Sequence, residues 1–343
     1  MRILVTGGAG FISSALCRRL VLAEGAVVLN LDKLTYAGHL TSLEAVAGHP
    51  RYHFLECDIC DAPRIAEAIG DFRPEALLHL AAESHVDRSI KGPAPFIATN
   101  ITGTYVLLEA AQHYALSLAP ADRERFRFLH VSTDEVFGSL GPVGAFSEAS
   151  PLCPSSPYSA SKAAADHLAL AWHCTFGLNA TVINCSNAYG PYQMPEKLVP
   201  LMILNALDSL PLPVYGDGLN VRDWMHVDDF VSALLAVLAK GRAGHRYTAG
   251  ARNERSNIEV VQKIGAILDR LAPKGAPHAR LITHIADRPG HDRRYAIGPG
   301  QLERETGWCP AIDYEAGLES TVRWYLDNPG WWKPLRVDIV GER

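Results

Sequence analysis

Short apolar runs alternate with segments of helical period through the first half of the chain. The runs 3–6 (ILVT), 26–31 (AVVLNL), 52–57 (YHFLEC), 76–81 (ALLHLA), 126–132 (FRFLHVS) and 179–186 (NATVINCS) are bounded by Gly, Pro or polar residues and read as strands. Between them, 11–23, 61–70, 97–117 and 159–176 read as helices. Strand and helix in alternation predict an α/β fold, a doubly wound parallel sheet covered on both faces. Beyond residue 186 the pattern gives way to the proline-rich NAYGPYQMPEKL, a helix over 198–208 and turns to about 223. The amphipathic HVDDFVSALLAVLAK (226–240) then suits a helix that returns to the sheet. The expected organisation is a first domain over 1–185, rejoined by 224–250. A smaller, interleaved C-terminal lobe takes 186–223 and 251–330, with a peripheral tail over 331–343.

Composition narrows the partners. A net charge of -5 and 20% charged residues give no basic surface that would select nucleic acid or an anionic membrane. The opening MRILVTGG has none of the zones of a secretory signal, and no apolar run approaches the roughly 18 residues of a spanning helix, so a cytoplasmic protein is expected. Seven scattered cysteines do not form a disulfide framework. Cys57 and Cys60 have metal-like spacing but no second pair to complete a tetrahedral site, so no metal is expected.

In ILVTGGAGFISSAL, Gly7 and Gly10 lie between an expected strand and an expected helix. Glycine there permits a tight turn and close backbone approach to a pyrophosphate at the helix N-terminus, the arrangement of a Rossmann-type dinucleotide site. Asp32 closes the next strand, where a carboxylate accepts from ribose hydroxyls and repels a 2′-phosphate, which favours NAD over NADP. A turn or capping aspartate is the simpler alternative. Ser13 stands where a third small residue belongs and is small enough for helix and strand to pack.

In PYSASKAAADHL, Tyr158 and Lys162 are spaced i and i+4, so both project from one face of a helix. A lysine ammonium beside a phenol stabilises phenolate, so the pair predicts a tyrosine base with its pKa pulled down from about 10. Together with DKLTYAG, LAAESHVDRSI, STDEVFG, NCSNAYGPYQMPEKLVPL, RDWMHVDD and RPGHDRRYAI, these motifs span nearly the whole chain. With them the sequence resembles the extended short-chain dehydrogenase/reductase superfamily and, within it, the nucleotide-sugar 4,6-dehydratases, most closely the dTDP-glucose branch.

The resemblance implies NAD as cofactor, a nucleotide-sugar substrate and a homodimer joined through helices 97–117 and 159–176. It implies that Tyr158, helped by Lys162 and Thr133, takes the proton of the sugar C4 hydroxyl during oxidation. The ketone acidifies C5, Glu135 removes the C5 proton, Asp134 protonates the departing C6 hydroxyl, and hydride returns to C6. Two crowded carboxyls cannot both ionise easily, so one pKa should rise. Both reach one sugar only if the strand ends near Thr133 and the chain turns. Phe11, Ile12, Lys33, Asp58, Ile59, Leu80, Ala81, Ala82 and Thr99, with Tyr158 and Lys162, are the further NAD contacts it implies. Ser84, His85, Asn187, Glu196, Lys197, Leu198, Arg222, Asn257, His291 and Tyr295 are the substrate contacts, with Tyr215 offering an aromatic face or edge to the base. Arg222 is expected on the diphosphate, where a guanidinium fork fits phosphate oxygens. His85 reads equally well as a satisfied buried histidine.

The chain departs from the family pattern at Phe137, where a tyrosine is usual, at Ala188, where a second asparagine is usual, and at Ser13. A sugar-nucleotide 4-epimerase would share the glycine turn and Tyr158–Lys162 but needs no acid–base pair after Thr133. A non-catalytic NAD-binding protein would need none of the five.

Overall fold

A computed structural model describes the backbone of residues 1–341 and the side chains of residues 1–336. Its large sheet has seven strands, all parallel. They are β1 (Arg2–Thr6), β2 (Val27–Asp32), β3 (Tyr52–Glu56), β4 (Ala76–His79), β5 (Arg127–Thr133), β6 (Ala180–Cys185) and, as β10 in the chain, Arg246–Ala249. Their order, β10-β6-β5-β4-β1-β2-β3, reverses direction at β1/β4. In open α/β sheets ligands bind outside the carboxyl ends of the strands at such a switch point.

Helices α1 (Phe11–Leu22), α2 (Ala62–Phe72), α3 (Thr104–Ser117) and α4 (Pro157–Phe176) follow β1, β3, β4 and β5. Ile3 and Val5 face a core shared with α1, whereas Leu4 faces the opposite core beneath α2 and α3, as the period of two requires. The expected helix over 97–117 is regular only from Thr104, and Ile97–Gly103 forms wider π turns. Pro157 at the first turn and a reciprocal Ser156–Ser159 capping box start α4, with Tyr158 in that first turn and Lys162 one turn on.

The second lobe contains β7 (Asn187–Tyr189), α5 (Leu198–Leu207), β8 (Leu212–Tyr215), β9 (Val221–His226), β11 (Glu254–Ser256), α7 (Asn257–Leu271) and β12 (Ile282–Ile285). Between β9 and β11, α6 (Val227–Lys240) packs on the large-sheet core beside α1, and β10 extends that sheet beyond β6. Trp224, Met225 and His226 pair with β7 in the small sheet, while Met225 and Val227 already pack into the large-sheet core. The expected boundaries also move at 300–308, where Leu302 and Trp308 pack into the core beneath α6. The tail expected to be peripheral begins inside the lobe core. After α8 (Tyr314–Asp327), α9 (Pro329–Gly341) buries Trp332 and Leu335, and Trp331 Nε1 donates to Ser42 Oγ at 3.2 Å. Residues 342 and 343 lie outside the described residues.

Candidate active site

The carboxyl ends of β1, β2, β4, β5 and β6 open onto one cleft whose far wall is the 186–197 segment. Gly7, Gly10, Phe11, Ile12, Asp32, Lys33, Ile59, Leu80, Ala81, Ala82 and Thr99 line one end of it. Gly7 has φ +70°, and a Cβ there would lie 2.6 Å from Ala81 Cα, so the turn admits no side chain. Ser13 is buried and its hydroxyl donates to the Gly7 carbonyl, fastening the turn to α1. Asp32 Oδ2 accepts from Ala9 N at 2.9 Å and Oδ1 from Leu34 N at 2.8 Å, so the carboxylate braces the glycine turn as well as facing the cleft. Asp58 does not line the cleft. It accepts from Cys60 N at 2.9 Å and from Lys33 Nζ at 3.4 Å, and Lys33, which also donates to Thr99 Oγ1, is the side chain that reaches the wall.

β5 ends at Thr133, and the chain turns at once into a short 3-10 helix over Asp134–Phe137. Thr133 Oγ1 accepts from Glu135 N at 3.2 Å and donates to Asp134 Oδ1 at 3.3 Å. Thr133, Glu135, Tyr158 and Lys162 line the cleft; Asp134, 1% exposed, does not, and its Oδ2 has no hydrogen-bond partner. Burial, then the charge of Glu135, pushes the Asp134 carboxyl well above the usual range, which favours its protonated form. Burial raises Glu135 too, but the cations Arg288, Arg222 and Lys197 oppose it, which separates the two carboxyls into an acid and a base.

The tyrosine departs from expectation. Burial, then the charges of Glu135 and Asp134, pushes the Tyr158 phenol well above its ordinary value. Lys162 does not counter this. Its Nζ donates to the Val131 carbonyl at 2.8 Å, and burial brings its own pKa down to about 8. The i, i+4 spacing sets the face of the helix, but desolvation of the phenol outweighs the neighbouring ammonium.

Ser84, Asn187, Glu196 and Lys197 line the substrate end, and Lys197 Nζ donates to the Ser84 carbonyl at 3.4 Å. Leu198 does not; it packs against the lobe core. His85 stands behind the wall, its Nε2 3.8 Å from Glu196, held neutral with a pKa of about 4 by burial and then by Lys197. Arg222 is not among the residues that line this cleft. It is buried in β9, donates to the carbonyls of Val221 and Asp292, and lies 4.2 Å over the Tyr295 ring. Its charge acts on Glu135 and Asp134 from behind the wall. Tyr295, whose hydroxyl donates to Asp292 Oδ2 at 2.5 Å, is buried with it. Asn257 opens α7 off the cleft, its N–H donating to the Asn220 carbonyl.

Tyr215 and His291 belong to an adjoining cluster. Tyr215 Oη donates to Asp87 Oδ2 at 3.1 Å, Arg288 Nη1 reaches Asp87 Oδ1 at 3.2 Å, and His291 Nδ1 contacts Asp287 at 2.6 Å. Arg288 was not singled out from the basic run RPGHDRR, because nothing in a string of three arginines marks the one that faces Glu135. Ser132, Ser186, Gln193 and Met194 are further cleft residues that the motifs contained but did not mark. Buried Ser132 Oγ, Ser186 Oγ, Asn187 Oδ1 and Gln193 Oε1 have no hydrogen-bond partner within the chain. Buried polar atoms normally find partners, so this wall fits a hydroxyl-rich ligand. Among the described residues no group of His, Cys, Asp or Glu is placed to hold a metal ion, and no helix is long and apolar enough to cross a membrane.

Comparisons with known proteins agree with this geometry. The chain is 56% identical over its full length to a probable dTDP-glucose 4,6-dehydratase of Sinorhizobium fredii, covering 98% of that protein. It is 55% identical to the dTDP-glucose 4,6-dehydratase of Neisseria meningitidis over 97% of this chain and 95% of the relative. The solved dTDP-glucose 4,6-dehydratase DesIV of Streptomyces venezuelae, with NAD and a TDP ligand bound, superposes with a TM-score of 0.89 at 46% identity, covering 98% of this chain and all of that one. A family model described as GDP-mannose 4,6 dehydratase matches residues 4–321, and with these relatives it makes the chain a member of that nucleotide-sugar dehydratase family.

Proposed function

We propose that the protein is an NAD-dependent hydro-lyase that converts a nucleoside-diphosphate glucose, dTDP-glucose, to its 4-keto-6-deoxy product. The observation that carries the reading is the division of the adjacent carboxyls beside Tyr158: Asp134 held as an acid, Glu135 kept ionisable by three cations. An epimerase has no use for that pair. The cradle at Gly7, the carboxylate at Asp32 and the unpartnered cleft atoms fit NAD, with the dinucleotide phosphates against the turn and Lys33, Ile59 and Thr99 at the adenosine end. NAD supplies the hydride acceptor for C4 and, once reduced, the donor for C6.

Tyr158 takes the C4 hydroxyl proton, Glu135 the C5 proton, and Asp134 protonates the departing C6 oxygen. Lys197, which lines the substrate end of the cleft, meets the diphosphate. The base is assigned from the relatives, whose names carry dTDP-glucose over the whole length of the chain. The test is incubation with dTDP-, UDP-, GDP- and CDP-glucose and mass spectrometry for loss of one water. dTDP-glucose is expected to lose it; a C4 epimer with no water lost refutes the reading.

The protein acts as a homodimer in this proposal. Ile97 in the π turns ahead of α3, Tyr105 within α3 and Phe176 at the end of α4 are about half exposed, and Tyr105 packs edge-on to Trp172 of α4. Tyr105→Glu should give a monomer by light scattering. Seven free thiols, three of them exposed, suit the reducing cytoplasm.

A further inference from the structure

The tyrosine helix and the acid–base turn are separate pieces of chain that must meet one sugar, and this inference rests on the dehydratase reading of them. Tyr158 and Lys162 act at C4 from α4, whereas Glu135 acts at C5 from the turn that follows Thr133. A small slip of the turn against the helix would put C5 out of reach of its base while C4 stayed well placed for oxidation.

A buried carboxylate lies where that slip would occur. Asp166 follows Lys162 by four residues, so Tyr158, Lys162 and Asp166 stand on successive turns along one stripe of α4. Asp166 is 0% exposed and takes no part in lining the cleft. Its Oδ2 accepts from Asn184 Nδ2 at 2.8 Å and lies 3.7 Å from Arg246 Nη2, and His130 Nε2 is 3.3 Å from its Oδ1.

Two arms run from this anchor to the two ends of the turn. Asn184, in β6, donates from the same Nδ2 to the Thr133 carbonyl at 3.0 Å, at the residue where β5 stops. A side-chain NH2 has two donors, and both are spent on this bridge. Arg246, in β10, reaches the far end, where its guanidinium carbon lies 5.7 Å from the centre of the Phe137 ring. Asn184 Oδ1 and Arg246 Nε are buried with no hydrogen-bond partner among the described residues. Orphaned polar atoms cost stability, so neither side chain suits a purely packing role.

We propose that Asn184 and Arg246, both anchored on Asp166, are positioning residues that lock the Thr133–Phe137 turn to α4, so that Glu135 meets C5 of the same sugar whose C4 lies against Tyr158. None of the three lines the cleft, so each acts through the groups it holds. The clamp sets the step from oxidation to elimination and leaves cofactor binding alone.

The test is rapid mixing of the NAD-loaded protein with dTDP-glucose, following reduced nicotinamide by absorbance and water loss by mass spectrometry. Asn184→Leu keeps much of the volume and removes both donors. Asn184→Ser keeps a polar group, but its single O–H serves at most one end. Arg246→Gln cuts the other arm. In each variant NADH should form within about threefold of the wild-type rate and disappear about 100-fold more slowly, the cost of a misplacement of about 1 Å. Reduced nicotinamide should therefore accumulate, with NAD affinity unchanged by calorimetric titration. A merely structural role would slow both steps together. Where the leucine variant does not fold, the serine variant decides, its folding checked by thermal melting. Equal slowing of NADH formation and decay, or no accumulation of NADH in folded Asn184→Ser, overturns the clamp while the wild type still removes water. A wild-type protein that neither reduces its NAD with dTDP-glucose nor removes water overturns the dehydratase reading, and the clamp with it.

Discussion

The two ends of the cleft are built on opposite terms. At the glycine turn two side chains are already engaged within the chain: Asp32 accepts from two backbone amides, and Ser13 donates to the Gly7 carbonyl. Beyond Thr133, Asp134, Asn187 and Gln193 each keep a buried oxygen with no partner in the chain, and Asp134, Glu135 and Tyr158 all have raised pKa values. The first end is finished before a ligand arrives, so it sets affinity. The second is left electrostatically unresolved until substrate comes, which is how binding energy is reserved for the reacting groups.

Substitutions at the unresolved end should cost rate and leave cofactor affinity alone. The largest effect is expected for Glu135→Gln, which should slow turnover by about 10³-fold or more and abolish exchange of the C5 proton with deuterated solvent. NAD affinity should be unchanged by calorimetric titration; normal exchange would remove Glu135 as the base. Lys162 offers a sharper probe of the same end. Its pKa is lowered to about 8, so the ammonium is present below that pH and is lost as pH rises through it. Turnover should therefore fall above about pH 8, and a limb that stays in place in Lys162→Arg, whose cation does not titrate in this range, would exclude Lys162 as its source.

At the finished end the signature inverts. Gly7→Ala places a methyl against Ala81 at positive φ, which should cost about 2–4 kcal/mol and appear as lost NAD binding and a lower Tm. The smallest effect belongs to Asp32→Asn, which keeps one amide acceptor and should lose about 1–2 kcal/mol of stability by denaturant titration. It should also narrow the preference for NAD over NADP. A large fall in turnover at saturating NAD in either variant would break the contrast between the two ends.

The same contrast explains what the sequence could tell. Every expected strand of the first 186 residues is present, because a strand buried on both faces is a local apolar run and the glycine turn between β1 and α1 is local too. Thr133, Glu135, Tyr158 and Lys162 meet in one cleft because β5 and α4 are each set by such patterns. What was illegible depends on contacts between distant segments. Arg222 is held by the Tyr295 ring and the Asp292 carbonyl, some 70 residues on. The charge of Arg288 acts on Glu135 because a segment of the second lobe folds back to pair with Asp87. Trp331 and Trp332 looked like a loose tail because the cavity that receives them is assembled from Ser42, Tyr192 and Trp324, which lie far apart in the chain. For Tyr158 the spacing marks a nearby ammonium but cannot show how deeply the phenol is buried.

Strand β10 completes the large sheet only after the chain has travelled through β7, α5, β8 and β9. During synthesis β6 must therefore wait as an open edge, with the apolar face later covered by α6 exposed, until about residue 249 has emerged. Such long-range closure makes for slow folding and an aggregation-prone intermediate. A fragment ending near residue 185 should inherit both hazards permanently, so this fold is acquired by the whole chain or not at all.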